Sequence, residues 1–145
     1  MEKSDVNKQI RQPRGIVFDV GNVLLDWNPD HLYRSLMPDP DRRAWFLLHV
    51  CSMSWHGEQD RGRSCTEGTA ALIARFPGFE REISAYYGRW TETMNGAVEG
   101  MERLVDTLRD AGMPVFALSN FPEGLWDRTV EAYPFLGRLD GRVLS

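Results

Sequence analysis

The sequence is short of cysteine, of lysine and of long apolar runs, and each shortage excludes a class of protein. Two cysteines in 145 residues are too few for a disulfide-stapled scaffold, so free thiols in a reducing compartment are expected. No apolar run approaches the length that spans a membrane. No lysine follows Lys8, and the net charge of -4 argues against a nucleic-acid-binding surface. We therefore expect a cytoplasmic protein with no nucleic-acid or membrane partner.

Residues 1–13 are polar and mixed in charge, with Val6 and Ile10 as their sizeable aliphatic side chains. This composition predicts a disordered tail and not a signal sequence. The length of the chain suits one domain.

An apolar stretch at residues 15–25 brings a carboxylate, Asp19, to the end of a predicted strand, and Gly21 follows two residues later. The β-branched and aromatic residues before Asp19 are typical of a strand buried on both faces, as in a parallel sheet covered by helices. Open α/β sheets bind their ligands outside the carboxyl ends of the strands. Asp19 is therefore a candidate functional residue, with an aspartate that merely begins a turn as the alternative.

A second apolar run, at residues 113–120, ends in Ser119 and Asn120. The segment before it has apolar residues at helical spacing over 101–108. A helix followed by a strand, with another strand far upstream, is the order of elements in a doubly wound α/β sheet. Ser119 taken alone could cap the next helix, but a serine and an asparagine at one strand end and Asp19 at another favour a site.

The long segment between the two runs has the pattern of several short helices. They are predicted from His31 to Pro38, after Pro40, after a capping box at residues 64–67, and over residues 80–90. We expect a small helical bundle. Most of its tryptophans are expected in the bundle core, with a place in the lining of the pocket as the alternative; they are Trp27, Trp45, Trp55 and Trp90.

Two short motifs carry a resemblance to a known family. Residues 18–24 (FDVGNVL) and 118–120 (LSN) resemble the first and second motifs of the haloacid dehalogenase-like hydrolases. Residues 24–29 and 59–62 resemble family members that carry a helical cap between these motifs. The resemblance covers residues 14–145, and it is specific in the combination of motifs.

The resemblance implies an α/β fold with an inserted cap. Residues 14–27 and 97–145 would form a Rossmann-like parallel sheet core, incomplete in this chain, and residues 28–96 the helical cap. In this family such caps close over the first aspartate, exclude water and select the substrate.

The resemblance also implies a nucleophile and a metal. Asp19 would attack phosphorus, or a carbon that bears a halide, and form a covalent intermediate that water hydrolyses. In a phosphatase, Asp19 and the backbone carbonyl of Gly21 would bind Mg²⁺, which prefers oxygen ligands.

Four further residues would bind a small anionic substrate by the same resemblance. Backbone amides from Val20 to Asn22 would cradle the transferring group. Ser119 would hydrogen-bond a phosphate oxygen or, together with Asn120, a substrate carboxylate.

Gly21 leaves the reaction class open. Family phosphatases usually carry a second aspartate at that position, as an acid for the leaving group. Dehalogenases lack it because halide leaves without a proton. The resemblance favours a magnesium-dependent phosphatase that acts through an aspartyl phosphate, and a 2-haloacid dehalogenase is the alternative.

The family's third and fourth motifs, a lysine and an acidic pair, have no counterpart before Ser145. The sequence therefore resembles an N-terminal portion of a family member, and we expect the 145 residues to be inactive alone. A non-catalytic remnant or binding module is a further alternative. The strand that ends at Asp19 would have one unpaired edge, which favours self-association.

Overall fold

The computed structural model describes residues 13–145, so all but the last residue of the predicted tail lies outside the described residues. The strands are β1 (Ile16–Phe18), β2 (Leu25–Trp27), β3 (Met94–Ala97), β4 (Val115–Ser119) and β5 (Gly141–Leu144). The helices are α1 (Pro29–Leu36), α2 (Pro40–His49), α3 (Met53–Asp60), α4 (Cys65–Arg75), α5 (Glu80–Gly88), α6 (Met101–Asp110) and α7 (Trp126–Ala132). Short 3₁₀ helices lie at Trp90–Thr93, Glu123–Leu125 and Pro134–Arg138.

A parallel three-stranded sheet in the order β1-β4-β5 forms the base of the molecule. Phe18 pairs with Ala117, and Ser119 pairs with Leu144. The connections from β1 to β4 and from β4 to β5 each contain helices, as parallel strands require. The predicted α/β class is therefore confirmed. A separate antiparallel ribbon pairs β2 with β3.

Five helices lie between β2 and β3, and their starts follow from local sequence. Ser64 opens α4 as predicted, because its hydroxyl accepts from the Glu67 amide while the Glu67 carboxylate accepts from the Ser64 amide. The side chains of Asn28, Asp39 and Ser52 cap α1, α2 and α3. No helix formed by residues 13–145 has the length and apolar character to cross a membrane.

Buried aromatic and aliphatic side chains hold these helices together and join them to the sheet. Tyr33 of α1 and Tyr86 of α5 are fully buried, and the Tyr33 hydroxyl donates to the Glu82 carbonyl at 2.7 Å. Of the four tryptophans expected in the core, Trp55 and Trp90 are buried, whereas Trp45 is 46% exposed.

The expectation that β1 is buried on both faces is wrong. Val17 is 58% exposed. In the neighbouring strand, Val115 and Ala117 are buried while Phe116 and Leu118 between them are exposed. Successive side chains of a strand point to opposite faces, so one face of the sheet packs against the rest of the chain. No element formed by residues 13–145 covers the other.

Candidate functional site

A cavity of about 390 Å³ opens at the carboxyl ends of β1 and β4. The strand ends contribute Asp19 and Ser119 to its lining, and α3 contributes His56 and Asp60. Trp27, Trp90 and several aliphatic side chains complete the lining. Two carboxylates thus reach one mostly apolar space from different parts of the chain.

One oxygen of the Asp19 carboxylate is held and the other is not. The backbone amide of Val20 and the hydroxyl of Ser119 both donate to Asp19 Oδ1, each at 2.7 Å. Within residues 13–145, no hydrogen bond reaches Oδ2. Two donors on one oxygen fix the orientation of the carboxylate. The geometry therefore orients a carboxylate whose second oxygen can attack an electrophile.

In the turn after β1, the neighbouring residues Gly21 and Asn22 differ in their hydrogen bonding and in their contact with the cavity. The Asn22 amide donates to the Leu25 carbonyl at 2.7 Å, and its side-chain Oδ1 accepts from the Trp27 amide at 3.0 Å. Asn22 adopts φ 59°, a conformation that asparagine tolerates better than most residues. It does not line the cavity. The structure thus differs from the sequence-based prediction here, because Asn22 stabilises the turn and its amide is already bonded.

Gly21 has free backbone groups by contrast. It lines the cavity, and neither its N–H nor its carbonyl oxygen has a hydrogen-bond partner within residues 13–145. The carbonyl can serve as an oxygen ligand and the N–H as an anion donor. Val20 also lines the cavity, but its amide is engaged by Asp19.

Ser119 and Asn120 lie where the strand pattern predicts. Ser119 is buried, and its hydroxyl donates its hydrogen bond to Asp19, so this proton is not available to a substrate. Asn120 lines the cavity, and its Oδ1 accepts from the Ser145 hydroxyl at 2.9 Å. The structure therefore gathers five of the six predicted site residues at one cavity.

The oxygen atoms near Asp19 fit a magnesium ion in part. Asp19 Oδ2 and the Gly21 carbonyl are oxygen donors without hydrogen-bond partners in the described part of the chain. No group of three or more His, Cys, Asp and Glu side chains within residues 13–145 is arranged to hold a metal. Mg²⁺ typically uses one or two carboxylates, substrate phosphate and water, so two protein ligands are compatible with it.

The sequence pattern did not indicate the role of α3. His56 is 5% exposed, and its ring packs against Trp27 and Trp90 with centroids 5.4 and 5.9 Å away. His56 Nδ1 lies 2.8 Å from the Tyr87 hydroxyl, and His56 Nε2 lies 3.7 Å from Asp60 Oδ1. Burial lowers the pKa of His56, and the nearby Asp60 carboxylate opposes that shift. His56 is therefore a neutral ring next to a carboxylate.

A chain of hydrogen bonds determines which nitrogen of His56 carries the proton. Arg63 Nε donates to Gln59 Oε1 at 2.7 Å, so the Gln59 amide nitrogen faces the other way and donates to the Tyr87 hydroxyl at 3.0 Å. The Tyr87 hydroxyl lies 2.8 Å from His56 Nδ1, and we infer that it donates to this nitrogen, because that gives its own buried proton a partner. The proton of the neutral ring is thus on Nε2, which faces Asp60.

Gly68→Ala is expected to destabilise this network by about 1–3 kcal/mol, the usual cost of overpacking. A β-carbon at Gly68 would overlap the Gln59 carboxamide, with its Cδ only 2.7 Å away. Gln59 is buried and held by three hydrogen bonds, so it cannot move without breaking them. Thermal or urea unfolding measures the loss.

Gly57→Ala is the matched control, because a β-carbon at this helical glycine meets no atom within 4 Å. It should stabilise the protein by roughly 0.5–1 kcal/mol. Equal effects of the two changes would contradict the tight contact at Gly68.

Neither a scan of the chain against models of protein families nor a search of curated proteins finds a match. Function is therefore inferred from the geometry of the cavity and from the motifs that surround it.

Proposed function

We propose that the chain carries the nucleophile half of a magnesium-dependent phosphatase that acts on a small phosphate monoester through an aspartyl phosphate. The observation that carries the proposal is the Asp19 carboxylate, with Oδ1 held by two donors and Oδ2 unbonded at a cavity beside parallel strand ends. The resemblance to haloacid dehalogenase-like hydrolases supports the same assignment. Residues 28–96 then act as a cap on a Rossmann-like core.

The residues present suggest how the first step proceeds. Asp19 Oδ2 attacks phosphorus, and the bond between phosphorus and the leaving oxygen breaks. Ser119 and the Val20 amide hold Oδ1 and so direct Oδ2 toward the substrate. The Gly21 N–H is free to donate to a phosphoryl oxygen. A Mg²⁺ held by Asp19 and the Gly21 carbonyl would neutralise phosphate charge when bound.

The cavity lacks a cationic side chain among the described residues that line it. The two lysines of the sequence are Lys3 and Lys8, and both lie outside the described residues. Phosphoryl transfer depends on positive charge around the transferring group. We therefore expect the 145 residues alone to react only with an activated phosphate and to show no measurable steady-state turnover of a phosphate monoester.

Covalent labelling tests the nucleophile without needing turnover. Incubation with acetyl phosphate and Mg²⁺ should add one phosphoryl group to the protein, detected by intact mass spectrometry and removed by hydroxylamine, as an acyl phosphate requires. Asp19→Asn should abolish the label, because it removes the attacking oxygen with almost no change of volume.

Asp26→Asn is the matched control. Asp26 interacts with Asn95 and His31 and does not line the cavity, so its replacement should leave labelling unchanged. No label on the wild-type protein, or a label that persists in Asp19→Asn, would contradict the proposal.

A 2-haloacid dehalogenase is the second candidate, and the chemistry of the cavity favours it in one respect. Position 21 supplies no carboxylate for protonating a leaving group, and much of the lining is apolar, including Leu25, Met53, Met94 and Phe121. Halide release from a small 2-haloacid without added metal, together with no phosphoryl labelling, would select this alternative. If neither reaction occurs, the result selects a non-catalytic binding module.

A further inference from the structure

We propose that Asp60 is the general acid and base of the reaction at Asp19, and that His56 positions it. The inference rests on the proposed phosphatase function. One juxtaposition carries the inference. The Asp60 carboxyl group of α3 lines the same cavity as the Asp19 carboxylate, and the Nε2 atom of His56 faces Asp60.

Hydrolysis through an aspartyl phosphate needs a group that moves protons. The leaving oxygen needs a proton in the first step, and the attacking water must lose one in the second. Asp19 cannot serve, because it is bonded to phosphorus between the two steps. Of the described residues that line the cavity, His56 and Asp60 are the other two with titratable side chains.

The geometry assigns the proton transfer to Asp60 and not to His56. His56 Nδ1 is occupied by the Tyr87 hydroxyl, and Nε2 carries the proton and faces Asp60. Neither ring nitrogen therefore has a free lone pair for water. The Asp60 side chain is 19% exposed, and it lines the cavity that a substrate would enter.

The Asp60 carboxylate also has an unsatisfied oxygen. Oδ1 is buried without a hydrogen-bond partner in the described part of the chain, because His56 Nε2 is too distant at 3.7 Å. Buried polar atoms are nearly always paired in folded proteins, so an exception needs an explanation. Because Oδ1 itself is enclosed, the exposed part of the side chain excludes it, and Oδ2 is the oxygen left to meet a water or substrate in the cavity.

The protons and bonds balance over the two steps. In the first step the Asp19–phosphorus bond forms, the bond from phosphorus to the leaving oxygen breaks, and that oxygen takes the proton of Asp60. In the second step Asp60 takes a proton from water, the water oxygen bonds to phosphorus, and Asp19 leaves as a carboxylate. One water is consumed, the products are an alcohol and phosphate, and Asp60 regains its proton.

The other ionisable groups near Asp60 do not compete for these protons. Burial raises the pKa of the Cys65 thiol of α4 and of the Tyr86 and Tyr87 hydroxyls of α5, and the charge of Asp60 adds to each shift. These groups therefore stay neutral at ordinary pH, and His56 is kept neutral by burial.

Decay of the aspartyl phosphate tests the inference directly. Acetyl phosphate labels Asp19 without an acid, since acetate leaves without a proton, so Asp60→Asn should still become labelled. Its label should then decay more slowly by about 10²-fold, the lower end of what general base catalysis contributes. Glu58→Gln is the control on the same helix, because Glu58 pairs with Arg61 on the surface, and its decay rate should match the wild type.

The pH profile separates a chemical role from a structural one. In the wild-type protein the decay should slow as the pH falls, as general base catalysis requires, whereas Asp60→Asn should decay at a rate independent of pH over that range. A structural defect would slow the decay at every pH.

Two outcomes distinguish this inference from the proposed function on which it rests. No label on the wild-type protein overturns the proposed function. A wild-type label whose decay does not depend on pH, or an equal decay in Asp60→Asn, leaves Asp19 as nucleophile and overturns the role of Asp60. In NMR titrations, Asp60→Asn should lower the pKa of His56, which checks the contact without any reaction.

Discussion

Phe46→Ala is expected to lower the free energy of unfolding by about 3–5 kcal/mol, the usual cost of removing a buried aromatic ring. Phe46 of α2 is fully buried, and its ring lies 5.0 Å from that of Tyr33 and 5.3 Å from that of Phe79. Domain stabilities are only about 5–15 kcal/mol in total. The substitution would therefore remove a large part of the free energy of unfolding.

Urea unfolding followed by circular dichroism measures this loss. Leu48→Ala on the same helix is the control, because Leu48 is 68% exposed and its truncation should change stability by less than about 0.5 kcal/mol. A Phe46→Ala protein as stable as the Leu48→Ala protein would mean that the helices between β2 and β3 do not share one core.

The elements that the sequence predicted are those encoded by neighbouring residues. The capping box at Ser64 and Glu67 forms as expected, and the helices predicted from His31 and after Pro40 form as α1 and α2. The strands before Asp19 and at residues 115–119 are short apolar runs bounded by turns. Elements of this kind can be predicted from the sequence because each depends on residues that are close together in the chain.

Helix α3 was not among the predicted helices, and the reason is chemical. Its buried residues include His56 and Gln59, so it lacks the apolar stripe that identifies a helix in a sequence. The partners that make burial of these polar groups tolerable, Tyr87 and Arg63, are supplied by other segments. The sequence gives no local signal for such a network.

The β2–β3 ribbon was not predicted either. Leu25 pairs with Ala97, a partner far along the chain, and strands this short do not alternate long enough to show a period. The ribbon matters because β2 carries Trp27 into the cavity wall. Half of the site was therefore predictable, since strand order brings Asp19 to Ser119, and the wall formed by α3 and the ribbon was not.

The exposed face of the parallel sheet leads to the second large effect. Val17, Phe116, Leu118 and Val143 form an exposed apolar face across the three strands, and Val17 pairs with Phe116 while Leu118 pairs with Val143. Strand β1 is hydrogen-bonded to β4 on one side, and within residues 13–145 no strand pairs with its other edge. An unpaired edge beside an apolar face is a template for another strand.

We propose that the β1 edge of a second copy of the chain pairs with this edge. Two β1 edges related by a two-fold axis are self-complementary, so the pairing closes as a dimer.

Sedimentation of the 145-residue chain at micromolar concentration should therefore show dimers or larger species. The change Val17→Lys should shift the protein toward monomer, because a charged side chain on the edge strand β1 opposes pairing. Leu48→Lys adds a charge at an equally exposed leucine outside the sheet and should leave self-association unchanged. A wild-type monomer with a cooperative thermal transition would contradict the prediction, because it would show that the open face is stable in water without a second copy.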